Sequence, residues 1–192
     1  MKIKAIEAIC KSEKRIFIFN DADCQWISNG CAIYPLRGMP RLMEENVFTL
    51  FDIPEGKRDK IYFSMADGLP ENYDFSDYNS AEQIIERGDI SLCVNGRTLE
   101  PLKTSHGIIY INARYLKPFD DSENGVGLYE RIGKDGSIYI VVKEGFFTVG
   151  VICPYDIITA SFCDALNELA RLSDVAYENK VRNEKESREE TE

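Results

Sequence analysis

One histidine, His106, and one tryptophan, Trp26, occur among 192 residues. A lone imidazole, with no Cys-x-x-Cys pair in the chain, leaves zinc without its usual ligands. The sequence has no Gly-x-Ser-x-Gly elbow, P-loop, His-Glu-x-x-His or Gly-x-Gly-x-x-Gly stretch. The corresponding hydrolase, nucleotide and dinucleotide chemistries therefore lack their motifs. Carboxylates are plentiful, but spacing singles out no pair. No catalytic residue, metal or cofactor is assigned. No run of 18 or more residues is uninterruptedly apolar, so no membrane partner is expected. Met1-Lys2-Ile3-Lys4-Ala5 holds no apolar signal core, and a cytoplasmic location is expected. Positive charge is also scarce. With 23 Lys and Arg against 33 Asp and Glu, the net charge is -10. A uniformly basic nucleic-acid binder is not expected, although local basic surface is compatible with that total.

What the chain does hold is ordinary for a globular protein, at 44% hydrophobic and 29% charged. Ten Tyr and ten Phe suit aromatic-rich strands. Six cysteines stand at 10, 24, 31, 93, 153 and 163. Cys10, Cys93, Cys153 and Cys163 fall in apolar patterns, where a free thiol behaves as a small hydrophobe, so reduced cysteines are expected.

Asn-Gly occurs twice in one frame: Asn29-Gly30-Cys31-Ala32-Ile33-Tyr34-Pro35-Leu36 and Asn95-Gly96-Arg97-Thr98-Leu99-Glu100-Pro101-Leu102. Both turn residues tolerate positive φ, so each copy predicts a hairpin, with the proline ending the return strand. Two related units follow as an expectation. Short helices are predicted at Ile3–Ser12 and Ser80–Arg87, ahead of each frame, and another at Pro40–Phe51. Strands are predicted at 15–19, 57–63, 90–94, 97–100 and 107–111, then a meander over 128–132, 137–142 and 146–152. After Pro154, Asp156 can cap a long helix whose stripe is Ile158, Phe162, Ala165, Leu166, Leu169, Leu172 and Ala176.

The fold class is therefore α+β: mostly antiparallel sheet built from hairpins, packed against a long C-terminal helix and shorter helices. The expected organisation is a hairpin unit over 1–65, an acidic loop or linker over 66–79, a meander-plus-helix unit over 80–178 and a charged, disordered tail over 179–192. One domain over 1–178 is the alternative. The acidic segment interleaves Tyr73, Phe75 and Tyr78 with Asp and Glu. These aromatics pack back on the body or form a partner-binding segment. Asp120, Ser122, Asn124 and Gly125 match the start of a calcium loop, but the decisive twelfth position is Arg131. An acidic surface turn is preferred.

Residues 107–156 resemble one domain of a DNA sliding clamp, the ring-shaped processivity factor. The strand Gly107–Asn112 leads into Ala113-Arg114-Tyr115-Leu116-Lys117, and three strands follow. Pro118 would cut that helix short. The chain also has the general look of phage or mobile-element accessory proteins. The resemblance implies repeated domains, self-association, double-stranded DNA or a replication protein as partner, and Arg114 and Lys117 facing DNA. Arg37 and Arg41 are further candidate nucleic-acid contacts. The expected function is a non-enzymatic binding or assembly protein. The alternatives are a protein-interaction module and an enzyme with an unconventional site around Cys24, Cys31 or His106.

Overall fold

The computed structural model describes residues 2–120 and 125–189. The remainder of the calcium-like run, residues 121–124, lies outside the described residues. Ile6, Ile9 and Cys10 share the buried face of helix α1, Ile3–Glu13. Lys14 ends the helix in left-handed backbone at φ 55°, its N–H closing on the Cys10 carbonyl. The chain then enters β1, Arg15–Asn20.

β1 belongs to an eight-stranded sheet. The remaining strands are β2 (Gln25–Ser28), β3 (Ala32–Pro35), β4 (Tyr62–Asp67), β5 (Gln83–Ile84), β10 (Gly127–Ile132), β11 (Ile138–Glu144) and β12 (Phe147–Ile152). The order is β4-β1-β2-β3-β12-β11-β10-β5. Among the described residues, the β1–β4 pair of this sheet is parallel and its other pairs are antiparallel. A smaller antiparallel sheet contains β6 (Glu86–Arg87), β7 (Leu92–Val94), β8 (Arg97–Thr104) and β9 (Gly107–Asn112). The α+β class and the mostly antiparallel sheet are thus present.

Strand alternation gives the large sheet two apolar faces. Ile16, Ile18, Ile27, Tyr34, Ile140, Val142 and Ile152 face one cluster. That cluster is completed by α1, by Val47 and Phe48 of α2 (Glu44–Leu50), and by Tyr115, Leu116 and Phe119 of a 3-10 helix, Ala113–Phe119. Trp26, Ile33, Tyr139, Val141 and Val151 form the opposite cluster, against which Leu69, Tyr73 and Phe75 pack.

Several local expectations are corrected. Within residues 80–87 no helix forms; Gln83–Ile84 (β5) pair with β10 and Glu86–Arg87 (β6) pair with β8. Tertiary pairing outweighs helix propensity there. The helix expected from Pro40 begins only at Glu44. Leu42 lies before it, outside any helix, and its N–H donates to Gln25 Oε1. Pro101 lies inside β8 rather than ending it, where the ladder passes from β7 to β6. The first Asn-Gly joins β2 to β3 in the large sheet, whereas the second joins β7 to β8 in the small one. The repeated order lies elsewhere: α1-β1-β2-β3 and 3-10 helix-β10-β11-β12 are both helix-then-meander, meeting at the β3–β12 seam.

Residues 1–155 form one compact unit and 156–192 a second. The division falls at Tyr155 rather than in the acidic segment, because β10–β12 join the same sheet as β1–β4. The second unit is helix α4, Ala160–Glu189, which continues through most of the charged tail expected to be disordered. Its predicted stripe is exposed at Leu169 and Leu172.

Candidate functional site

Two basic segments, distant in sequence, meet beside the end of α1. Lys14 occupies the corner between α1 and β1, and its carbonyl accepts from Tyr62 N at 2.9 Å. That bond brings the chain leading into β4 alongside. The preceding turn uses Asp52 at φ 48° and a short helix, α3 (Glu55–Arg58), which carries Lys57. Lys60 N and Ile61 N then donate to the carbonyls of Lys57 and Arg58, winding the chain back towards β4. Lys11, Lys14, Lys57 and Lys60 surround a cavity of about 340 Å³ with Ile53, Pro54 and Ile61 as its apolar lining. Asp52 is the one carboxylate in that lining.

An adjoining cleft shares Lys14, Lys60 and Ile61 and adds Arg15 and Arg58, with Glu13, Glu44 and Asp59. Lys11 is paired with Glu7 at 2.6 Å, and Glu13 is drawn to Arg97 at 3.3 Å. Among the described residues, the ammonium groups of Lys14, Lys57 and Lys60 form no ion pair. With Lys11 held by Glu7, three unpaired lysines and Asp52 line the cavity in a chain of net charge -10. Such clustering in a cleft favours an anionic ligand, because low-dielectric walls focus the field.

The predicted nucleic-acid contacts fall in two places. Arg114 lies in the 3-10 helix and donates to the Ala8 carbonyl at 3.0 Å and to Ser12 Oγ at 2.7 Å. It ties that helix to α1. Lys2 N donates to the Pro118 carbonyl at 2.7 Å, so the two helices run in opposite directions. Lys117 and Lys4 are exposed on these helices. Arg37 is on the loop after β3, donating to the Thr148 carbonyl at 3.0 Å and lying 5.6 Å from the Phe147 ring centre. Its surroundings include Asp21, Asp23 and Asp77, three carboxylates that oppose an anionic ligand. Arg41 donates to the Asp21 carbonyl at 3.3 Å. The lysine cleft was missed as a site. Its two basic segments were visible in the sequence, but their meeting depends on the parallel β1–β4 pairing.

The acidic segment is a strap on the other face of the sheet. Phe75 meets Trp26 edge-on at 5.1 Å, and Tyr73 packs on Tyr139 at 4.9 Å. Tyr78 remains 78% exposed. Of the three aromatics proposed to bind a partner, two are thus turned onto the body. Buried Arg131 and Lys143 hold the strap by donating to the carbonyls of Asp74, Ser76 and Asp77, and both also donate to Glu82 just beyond it. Burial raises the Glu82 pKa, but hydrogen bonds from Lys143 and Arg131 outweigh it and the net shift is downward.

His106 comes close to Ser105 and Glu130. Ser105 Oγ donates to Glu130 Oε1 at 2.5 Å, and His106 Nδ1 lies 2.9 Å from Ser105 Oγ and 3.3 Å from Glu130. The same ring nitrogen faces both partners. A relay needs the base to touch its nucleophile and its orienting acid through different nitrogens. This cluster closes the β8–β9 turn onto β10. Of the other enzymatic candidates, Cys24 is half-buried and burial pushes its thiol pKa up, while Cys31 is exposed. A raised thiol pKa disfavours a nucleophile at Cys24. Among the described residues, no group of three or more His, Cys, Asp or Glu side chains could hold a metal, and no helix is long and apolar enough to cross a membrane. Comparisons with protein-family models, curated proteins and solved structures find no match to this chain.

Proposed function

We propose that this chain is a non-enzymatic binding protein that engages double-stranded DNA through the helix-bearing side of its large sheet, as a clamp-like accessory factor. The observation that carries this reading is the gathering of Lys11, Lys14, Lys57 and Lys60 around one cleft, three of them unpaired among the described residues. Lysines placed this way neutralise phosphates, and the counterions released make binding steeply salt-dependent. The helix-then-meander order, present twice with its two helices side by side, supports the clamp-like part. Clamps are built from repeated units with basic helices towards DNA, and Lys4 and Lys117 provide exposed cations on the two helices here. A phage or mobile-element setting follows the general look of the sequence.

The test is duplex-DNA binding by fluorescence anisotropy across a salt series. Lys14→Glu, Lys57→Glu and Lys60→Glu should each weaken binding and lower the salt slope by about one. Unchanged affinity in the triple variant would overturn the reading. For the clamp form, the chain should elute as a small ring and be retained on closed circular DNA but lost on linearisation. A monomer that ignores DNA would eliminate it.

The exposed α4 stripe favours a second reading, self-association through that helix. Leu169→Glu with Leu172→Glu should then lower the mass in solution, and an unchanged mass would reject it.

A further inference from the structure

Cys31 and Cys153 stand opposite one another where the two meanders meet. The β3–β12 ladder pairs Ile33 with Val151 and Ala32 with Ile152. One further step aligns Cys31 with Cys153, and Cys153 N donates to the Cys31 carbonyl at 2.7 Å. Hydrogen-bonded antiparallel neighbours have Cα atoms about 5.5 Å apart. A disulfide spans about 4.4–6.8 Å between Cα atoms. Among the described residues, the other cysteines are distributed over α1, the turn before β2, β7 and α4, and none is a ladder partner of another.

The two thiols differ in environment. Cys31 is exposed, whereas Cys153 is partly buried with its Sγ 3.2 Å from the Tyr73 hydroxyl. We propose that Cys31 and Cys153 are a peroxide-oxidisable thiol pair that closes to a disulfide across the β3–β12 seam. The Cys31 thiolate attacks a peroxide oxygen; the S–O bond forms, the O–O bond breaks and, for hydrogen peroxide, water leaves after protonation. The Cys153 sulfur then attacks Cys31 Sγ; the S–S bond forms, the S–O bond breaks and a second water leaves. Two thiols and one peroxide yield one disulfide and two waters, with two electrons passing to the peroxide. Burial raises the Cys153 pKa while the Tyr73 hydrogen bond lowers it, with a net rise. Cys153 therefore suits the second step, intramolecular and supplied by a neighbour, better than the first. The bond would staple the seam and take Cys153 Sγ from Tyr73, a residue of the strap.

The test uses the full chain with Cys93→Ser and Cys163→Ser, which removes two exposed thiols from other elements. After hydrogen peroxide and alkylation, the expected result is the loss of two alkylatable thiols. A peptide pair linking Cys31 to Cys153 should be separable by dithiothreitol. Adding Cys153→Ser should leave Cys31 as a sulfenic acid, trapped by dimedone at several-fold higher yield than in the parent. Equal dimedone yields, Cys31 sulfinic acid beside unreacted Cys153, a bridge through Cys24, or no peroxide reaction would each overturn the proposal.

Discussion

Arg131 donates through Nε to Glu82 at 2.9 Å, joining strand β10 to the residue that follows the strap and precedes β5, 49 positions earlier in the chain. The Arg131 side chain is 1% exposed. Lys143 reaches the same carboxylate from β11 and also donates to the Asp77 carbonyl. One carboxylate therefore balances two buried cations, with Asp74 Oδ2 a further 3.7 Å from Arg131. Glu82→Ala should destabilise residues 1–155 by about 3–5 kcal/mol, because it leaves buried charge uncompensated. Urea unfolding measures that loss.

The same pair predicts an acid dependence. The Glu82 pKa is depressed in the folded chain, as burial is outweighed by the Lys143 and Arg131 hydrogen bonds. A depressed carboxylate contributes stability that is full above its unfolded pKa, about 4.3 for Glu. That contribution disappears as pH falls through the lower folded value, since protons then favour the unfolded chain. The urea midpoint of the parent should drop in this acid window. Glu82→Gln should show a lower midpoint at neutral pH and a shallower drop.

Phe75 offers a test of the strap itself. Its ring lies edge-on to Trp26, the only tryptophan in the chain. Phe75→Ala should cost about 2 kcal/mol for a half-buried aromatic and admit water to the indole. A red shift of the tryptophan emission at unchanged far-ultraviolet circular dichroism is the expected result.

Gly150 of β12 reports on packing beneath the 3-10 helix. A Cβ there would stand 2.7 Å from Phe119 Cζ and 3.5 Å from the Ile33 carbonyl oxygen. Gly150→Ala should destabilise the chain by about 1–3 kcal/mol through overpacking. Phe119→Leu, which withdraws the clashing ring edge, should recover part of that loss when combined with it in a double-mutant cycle.

Arg114 separates holding the fold from the DNA contact proposed above. Its guanidinium is committed to Ala8 and Ser12, whereas Lys117 is exposed. Arg114→Ala should lower stability by about 1–3 kcal/mol, the cost of hydrogen bonds to a charged group. Lys117→Ala should leave the unfolding midpoint within error and act on the salt slope of DNA binding alone.

Local signals were readable where one segment decides its own structure. The Asn29-Gly30 turn, the 128–152 meander, α1 and α4 all carry their period or turn chemistry within the segment. Residues 80–87 misled because their helical spacing competes with two separate edge pairings that no local window contains. The acidic strap read as a linker because its anchors, Arg131 and Lys143, lie far along the chain. The basic segments at 11–15 and 57–60 meet only through the parallel β1–β4 pairing, which no local window contains either.

The sequence by itself determined the α+β class, the antiparallel hairpins, the excess of acid and the absence of familiar catalytic motifs. Those depend on residue type and short-range periodicity. Only the tertiary structure decided that Lys14 meets Lys57 and Lys60, that Glu82 neutralises Arg131 and Lys143, and that the backbones of Cys31 and Cys153 pair at the β3–β12 seam. Each of those meetings is set by strand register between distant segments. Register is a property of paired backbones and buried faces, which single-segment patterns do not contain.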